Sequence, residues 1–383
     1  MAPSGSAGAQ WAALTALASP ALNPQALTNS FAKIDWPGLL ALAEEHGVTQ
    51  LLAVSSLRLP PEIVPRAIRE QLAELQRTQA FFTLRMSAEL FRLADRFAAA
   101  RIAMLVVKGP ALAMQAYGDA AMRNYGDLDL LVRDCDIARA TQLMMDAGYQ
   151  AHIPLSAISA NKIPGQYMFR QAEAKLLVEI HNDRTMRYYP RALPIEEIFA
   201  RHVSVASDGR EIPAPCAEDH LVMICVHGAK HFWGRLMWIA DVAALIGRQR
   251  ELNWELAGRS ARTVGADTML HGGLLLAARV LKTPLPGTVL AGSEADAAAQ
   301  RMLEQVVEWL PGAGAISPGL LQRALYRTRM RGGGVAGARY LWRLLFSATE
   351  EDWDANAEES HAFLAAVKRP FRLARKHRSG GQG

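Results

Sequence analysis

Cysteine is scarce in this chain: three among 383 residues, Cys135, Cys216 and Cys225, forming neither a CxxC pair nor an even set. That spacing argues against a disulfide framework or a zinc cluster and fits reduced thiols in a cytoplasmic protein. Long apolar runs are missing as well. Each hydrophobic stretch meets a charge well before the ~18 residues that a membrane-spanning helix needs. Ala99 to Val107 is interrupted by Arg101 and closed by Lys108, and reads as a buried strand. The opening MAPSGSAGAQWAALTALASP lacks the basic n-region of a secretion signal. GxxxxGK[ST] and GxSxG do not occur, which argues against P-loop and α/β-hydrolase chemistry. No internal repeat has a solenoid period. The expectation is a soluble, cytoplasmic protein with no membrane span.

What is present favours helix and a sizeable core. Half of the residues are hydrophobic, enough for two or three domains. A net charge of +5 permits a polyanionic partner without demanding one. Residues 1–98 read as an N-terminal helical region: Ile34 to His46 has helical spacing, Pro60-Pro61 starts another helix, and Ala67 to Ala99 forms one or two long helices. Residues 99–212 change texture to a small α/β core. Ile102 to Val107 and Leu128 to Val132 read as strands, and a helix opens at Pro110. Asp134 to Ala147 reads as a helix capped by Asp134 and stopped by Gly148. Tyr167 to Gln171 and Lys175 to His181 read as a hairpin. Residues 213–367 are helical again, with Glu218 to His231, Arg235 to Arg248, Trp254 to Arg262, Leu270 to Leu281 and Ala298 to Trp309 as the clearest segments. Residues 368–383 form a basic tail expected to be flexible.

Chemistry concentrates in Leu105 to Leu131, LVVKGPALAMQAYGDAAMRNYGDLDLL. Asp127 and Asp129, two apart at the mouth of an apolar strand, share a face and can reach one magnesium site. Burying two carboxylates together is costly unless a cation neutralises them; the competing reading is a solvated Asx turn. Glu179, charged within the apolar LLVEIH, is the candidate third carboxylate for a pair of metals about 4 Å apart. Its alternative is an edge-strand charge that discourages aggregation. Lys108-Gly109 offers backbone N–H groups and a positive charge to phosphate at a helix start. Arg123 is a candidate for the triphosphate or the leaving pyrophosphate, with a surface-loop arginine as the alternative.

Taken in order, KGPALAMQAYGDAAMRNYGDLDLLV, Asp146-Ala147-Gly148-Tyr149, Val178-Glu179-Ile180-His181 and HGAKHFWGRLMWIADVAALI resemble the uncharacterised nucleotidyltransferase family of the polymerase-beta-like superfamily, over roughly residues 40–250. The resemblance implies an α+β fold: a nucleotidyltransferase core with a small mixed sheet, flanked by N- and C-terminal helical regions. It implies Mg²⁺ (or Mn²⁺) chemistry on Asp127, Asp129 and Glu179, with Glu179 helping to deprotonate the acceptor. The expected function is transfer of a nucleoside monophosphate from an NTP to a small-molecule, sugar or peptide acceptor, in the setting of polysaccharide or natural-product biosynthesis. One departure stands out: Gly109 is followed by Pro110 where most of the superfamily has Gly-Ser or Gly-Gly, so Lys108 supplies charge in place of a hydroxyl. The alternatives are a non-catalytic nucleotide-binding scaffold and phosphoryl transfer on the same metals.

His227 and His231 lie four apart on one helix, with Lys230, Arg235 and Asp241 nearby. Zinc is disfavoured because the Glu of HExxH and a third ligand are absent. His231 and Arg235 are candidates to touch the nucleotide or acceptor, against a structural hydrogen-bond network that also includes His227 and Asp241. Arg323, Arg327, Arg329 and Arg331 lack any nucleic-acid module beside them and read as a solvated helix face, so nucleic acid is not expected as a partner.

Overall fold

The computed structural model describes residues 6–20, 34–60, 62–159, 165–171, 176–182, 189–312, 319–331 and 337. Helices α1 (Ser6–Ala18), α2 (Trp36–Glu45) and α3 (Thr49–Ser56) lead into α4 (Arg66–Ala99), a single helix of 34 residues. Nothing within α4 breaks it: the segment has neither Gly nor Pro. The helix expected at Pro60-Pro61 begins instead at Arg66, because Pro65 is the residue that fixes the first turn; Pro61 lies outside the described residues.

Five strands form one sheet in the order β1-β2-β5-β4-β3: β1 (Met104–Val106), β2 (Leu128–Val132), β3 (Gln150–Ala151), β4 (Gln166–Gln171) and β5 (Leu176–His181). Only β2 and β5 run parallel; the other pairs are antiparallel. Between β1 and β2 lies α5 (Gly109–Tyr117), and between β2 and β3 lies α6 (Ile137–Asp146). The expected Asp134 cap is replaced by a short 3₁₀ turn, Asp134–Asp136, and the Asp134 carboxylate accepts from Asn182 Nδ2 at 2.7 Å instead. Gly148 takes the left-handed conformation that ends the helix (φ 89°). A short helix α7 (Leu155–Ser159) precedes β4, and α8 (Ile195–Ala200) follows β5. Then β6 (Val203–Ser207) and β7 (Arg210–Ala214) pair as a separate hairpin. Its turn, Asp208-Gly209, has positive φ at both residues, as a two-residue hairpin loop requires.

Strand alternation divides the sheet's side chains. Val106, Leu128, Leu130, Val132, Val178 and Ile180 face α4 and α6, packing with Leu90, Leu93, Phe97, Ala140 and Met144. The opposite face carries Leu105, Leu131, Asp129, Glu179 and His181. There it meets the helical part: α9 (Ala217–Lys230), α10 (Leu236–Arg248), α11 (Trp254–Val264), α12 (Asp267–Leu281), α13 (Gly287–Glu294), α14 (Ala297–Trp309) and α15 (Leu320–Arg329). Helices α1 to α3 bury their apolar residues in the same core as α9 to α12, with Leu14, Leu39 and Leu52 joined to Leu245, Leu276 and Trp233. The architecture is α+β, a small mixed sheet with helical flanks, as the resemblance implies. None of the described helices is long and apolar enough to cross a membrane.

Candidate metal and nucleotide centre

The parallel β2–β5 register places Asp129 opposite Glu179 and Leu131 opposite His181. Because side chains alternate along a strand, Asp129, Glu179 and His181 project from the same face. β5 lies between β2 and β4, so Glu179 is on an inner strand and is not an edge charge. All three residues are buried: Asp129 is 1% exposed, His181 2% and Glu179 8%. Among the described residues these three form a group of possible metal ligands, their atoms all within 4.8 Å of one another.

Lys108 Nζ is 2.6 Å from Asp129 Oδ1. His181 Nε2 is 2.9 Å from the same oxygen and 3.4 Å from Glu179 Oε2. Gln166, across the β4–β5 ladder, donates from Nε2 to Glu179 Oε2 at 2.7 Å. Asp127, one residue before β2, is partly open to solvent. The Lys108-Gly109 turn is set by backbone geometry: Gly109 has φ 53°, and a Cβ there would meet the Asp127 carbonyl at 3.5 Å. Pro110 then occupies the first turn of α5, where its missing N–H costs nothing.

The electrostatics follow from crowding three carboxylates against two bases. Burial, then repulsion from Asp129, raises the Asp127 carboxyl to about 6. Burial opposes charge on Asp129, but Lys108 and the His181 hydrogen bond outweigh it and hold its carboxyl well below the usual range. Glu179 is likewise lowered, chiefly by His181 against burial. Burial disfavours the charged His181 and Lys108, yet both are held up by the carboxylates they touch.

The residues fit a divalent cation. Asp129 Oδ2 and His181 Nδ1 are buried without a hydrogen-bond partner among the described residues. A buried carboxylate oxygen left without a partner is costly, and a cation relieves both that oxygen and the repulsion felt by Asp127. Oxygen donors from Asp127, Asp129 and Glu179 suit a hard ion such as Mg²⁺ or Mn²⁺.

The helical part closes the other side. Lys230, at the end of α9, is lowered to about 8 by burial and by Lys108, while the three carboxylates pull it upward. His231 keeps solvent access yet is packed closely enough that desolvation, ahead of repulsion from Lys230, Lys108, Arg235 and Arg327, holds its imidazole down at about 3. Its ring stacks on Trp238 at 5.0 Å and lies 4.6 Å from His227, whose imidazole burial also keeps well below its ordinary value. Arg235 is exposed at the start of α10.

Arg123, expected at the triphosphate, pairs with Asp241. It is 7% exposed, and its Nε donates to Asp241 on α10 at 2.9 Å. Tyr117, the last residue of α5, donates to the other Asp241 oxygen at 3.0 Å. The Arg123 charge still reaches Asp127 and Asp129. The sequence reading missed His181 as a member of the acidic group, although the period of two along LLVEIH already puts it on the face of Glu179. Lys230 carried no such signal; its approach to Glu179 depends on how α9 packs over the sheet. A cleft of about 850 Å³, lined by Trp11, Arg279, Lys282 and Glu304 among others, shares no lining residue with this centre.

Residues 32–282 match the profile of a family described as uncharacterised nucleotidyltransferase. The chain belongs to that family. No curated protein matches it. The matched span includes the sheet, the Asp129–Glu179–His181 group and the α9–α10 turn, and ends before α13 to α15.

Proposed function

We propose that the protein transfers a nucleoside monophosphate from an NTP to an acceptor hydroxyl or phosphate, releasing pyrophosphate. The supporting observation is the parallel register that aligns Asp129 with Glu179 and His181 on one buried face, with Asp129 Oδ2 lacking a partner among the described residues. Asp127, Asp129 and Glu179 would hold Mg²⁺ or Mn²⁺. Bound there, the ion supplies Lewis-acid stabilisation of charge on the transferring phosphoryl group.

The chain's own groups do the rest. His181 fixes the orientation of Asp129 through Nε2. Lys108 and the N–H groups opening α5 at Gly109 neutralise the phosphates, and His231 and Arg235 border the nucleotide or acceptor from the helical side. The acceptor oxygen bonds to Pα as the Pα–O bond to the β-phosphate breaks, and Glu179 takes the acceptor proton. Positioning and electrostatics provide most of the rate in such a transfer.

The test is incubation with [α-³²P]NTP and, separately, [γ-³²P]NTP, using cell metabolite extract as the acceptor source. Label passes to an acceptor from the α position only. Asp129→Asn is expected to lower that transfer by about 1000-fold, the equivalent of several kcal/mol, while remaining folded. Transfer from the γ position would replace this reading with phosphoryl transfer, and full activity in Asp129→Asn would remove it.

A further inference from the structure

Two segments flank the Lys108-Gly109 turn, and one buried side chain reaches both. His220, on α9, is 0% exposed. Its Nε2 lies 2.6 Å from the Val107 carbonyl oxygen, and its Nδ1 lies 2.8 Å from Oε1 of Gln115 on α5. Val107 is the last residue before the turn, and Gln115 stands on the helix that leaves it. A carbonyl can only accept, so the ring carries a hydrogen on Nε2. Burial, against the bond to Val107, lowers the pKa of His220 to about 4, which leaves the ring that one hydrogen to give. The far side is braced as well. Gln115 Nε2 donates to the Pro215 carbonyl at 2.9 Å, and the Gln115 carbonyl accepts from Gln249 Nε2 at 3.0 Å. His220 N–H donates to the Cys216 carbonyl at 2.9 Å, which fixes the ring's own position in the first turn of α9.

Hydrogen bonds connect this bridge directly to the carboxylate group. Val107 N–H donates to the Asp129 carbonyl at 3.1 Å, extending the β1–β2 ladder by one residue. The Val107 carbonyl belongs to the same peptide unit as the Lys108 N–H. The bond from His220 therefore fixes the plane from which Lys108 and Gly109 depart. Lys108 then places Nζ 2.6 Å from Asp129 Oδ1, and Gly109 turns left-handed at φ 53°. Pro110 has no N–H and no hydroxyl follows Gly109, so this helix start offers phosphate few groups. Their aim carries correspondingly more of the affinity. Without His220 the Val107 carbonyl is buried and lacks this partner, a cost that the turn relieves by moving.

We propose that His220 is a positioning residue for nucleotide binding: bridging Val107 and Gln115, it holds the Lys108-Gly109 turn in the conformation that receives the triphosphate. This rests on the nucleotidyl-transfer reading above. The side chain touches neither nucleotide nor metal, and acts through the peptide that enters the turn.

The probes are the α,β-methylene analogues of the four NTPs, titrated with Mg²⁺ into the full-length protein, and Mn²⁺ alone, titrated without nucleotide. His220→Leu, which fills the space without a donor, should weaken analogue binding by about tenfold or more, the equivalent of one lost hydrogen bond. Mn²⁺ affinity should change by less than about twofold, because the three carboxylates keep their strands. His220→Gln, whose amide nitrogen can reach the Val107 carbonyl, should recover most of the analogue affinity. A merely structural role would lower the melting temperature and weaken both probes alike, and that result would overturn the proposal. Analogue affinity unchanged in a folded His220→Leu would overturn it too. Should His220→Leu not fold, Gln115→Met is read in its place; it removes the other end of the bridge, and a loss of about threefold in analogue affinity alone is expected, with no loss overturning the proposal. If no analogue binds the wild type, the nucleotidyl-transfer reading falls and takes this assignment with it, whereas wild-type binding that the variants leave unchanged removes the positioning role alone.

Discussion

Asp129 receives Lys108 and His181 on one oxygen and leaves the other without a partner among the described residues. Lys108 already keeps this buried carboxylate from being isolated, so His181 is not needed for its burial to be tolerable. Its contribution is orientation, and outer contacts of that kind are worth about 10–100-fold in metal affinity. His181→Leu should therefore lower Mn²⁺ affinity, read by the loss of the free-ion electron spin resonance signal, by that factor with little change in melting temperature. Unchanged affinity would mean that His181 serves packing alone. Gly109 marks the opposite case, a backbone requirement: its left-handed φ is one that L side chains rarely adopt.

The sheet and α10 are joined by the buried Arg123–Asp241 pair, with Tyr117 of α5 closing the third side. Removing one member strands the other, a loss of about 3–5 kcal/mol for a buried pair. Arg123→Met should accordingly lower the thermal midpoint, and Arg123→Met/Asp241→Leu should recover most of the loss. An Arg123→Met variant that weakens NTP binding and leaves stability untouched would give the residue to the triphosphate, as the sequence suggested. This is also where legibility ended. Apolar periodicity reveals α4, β2, β5 and α9 to α12, and the DLD and VEIH segments reveal which strands carry charge. What a carboxylate meets across 118 positions of chain, as Asp241 meets Arg123, depends on tertiary packing that no local pattern encodes. The β6–β7 hairpin is different: its Asp-Gly turn was a readable signal that the sequence reading passed over.

Over the whole molecule, His46 ties the N-terminal helices to the site-bearing turn. Its Nδ1 accepts from Leu236 N–H at 3.1 Å and its carbonyl accepts from Met237 N–H at 3.1 Å, satisfying two of the free donors that open α10. Only a neutral ring can accept at Nδ1. Burial, with Arg235 second, lowers its pKa from 6.5 to about 4. The unfolded chain then binds a proton between those values while the folded chain does not, so this contribution is complete above pH 6.5 and is lost as pH falls toward 4, roughly 3 kcal/mol in all. Denaturant melts from pH 7 to 4 should show His46→Asn, which keeps an acceptor but cannot titrate, losing less stability than wild type across that window; equal slopes would contradict it. The central claim is a metal-dependent nucleotide site on the buried face of β2 and β5. Its most direct test is calorimetric titration of ATP, GTP, CTP and UTP, with Mg²⁺ and with EDTA, into wild type and Asp127→Asn/Asp129→Asn. The account predicts Mg²⁺-dependent binding of at least one nucleotide to wild type and its loss in the double variant. Folded wild type that binds none of the four, or binding that survives both EDTA and the double substitution, would contradict it.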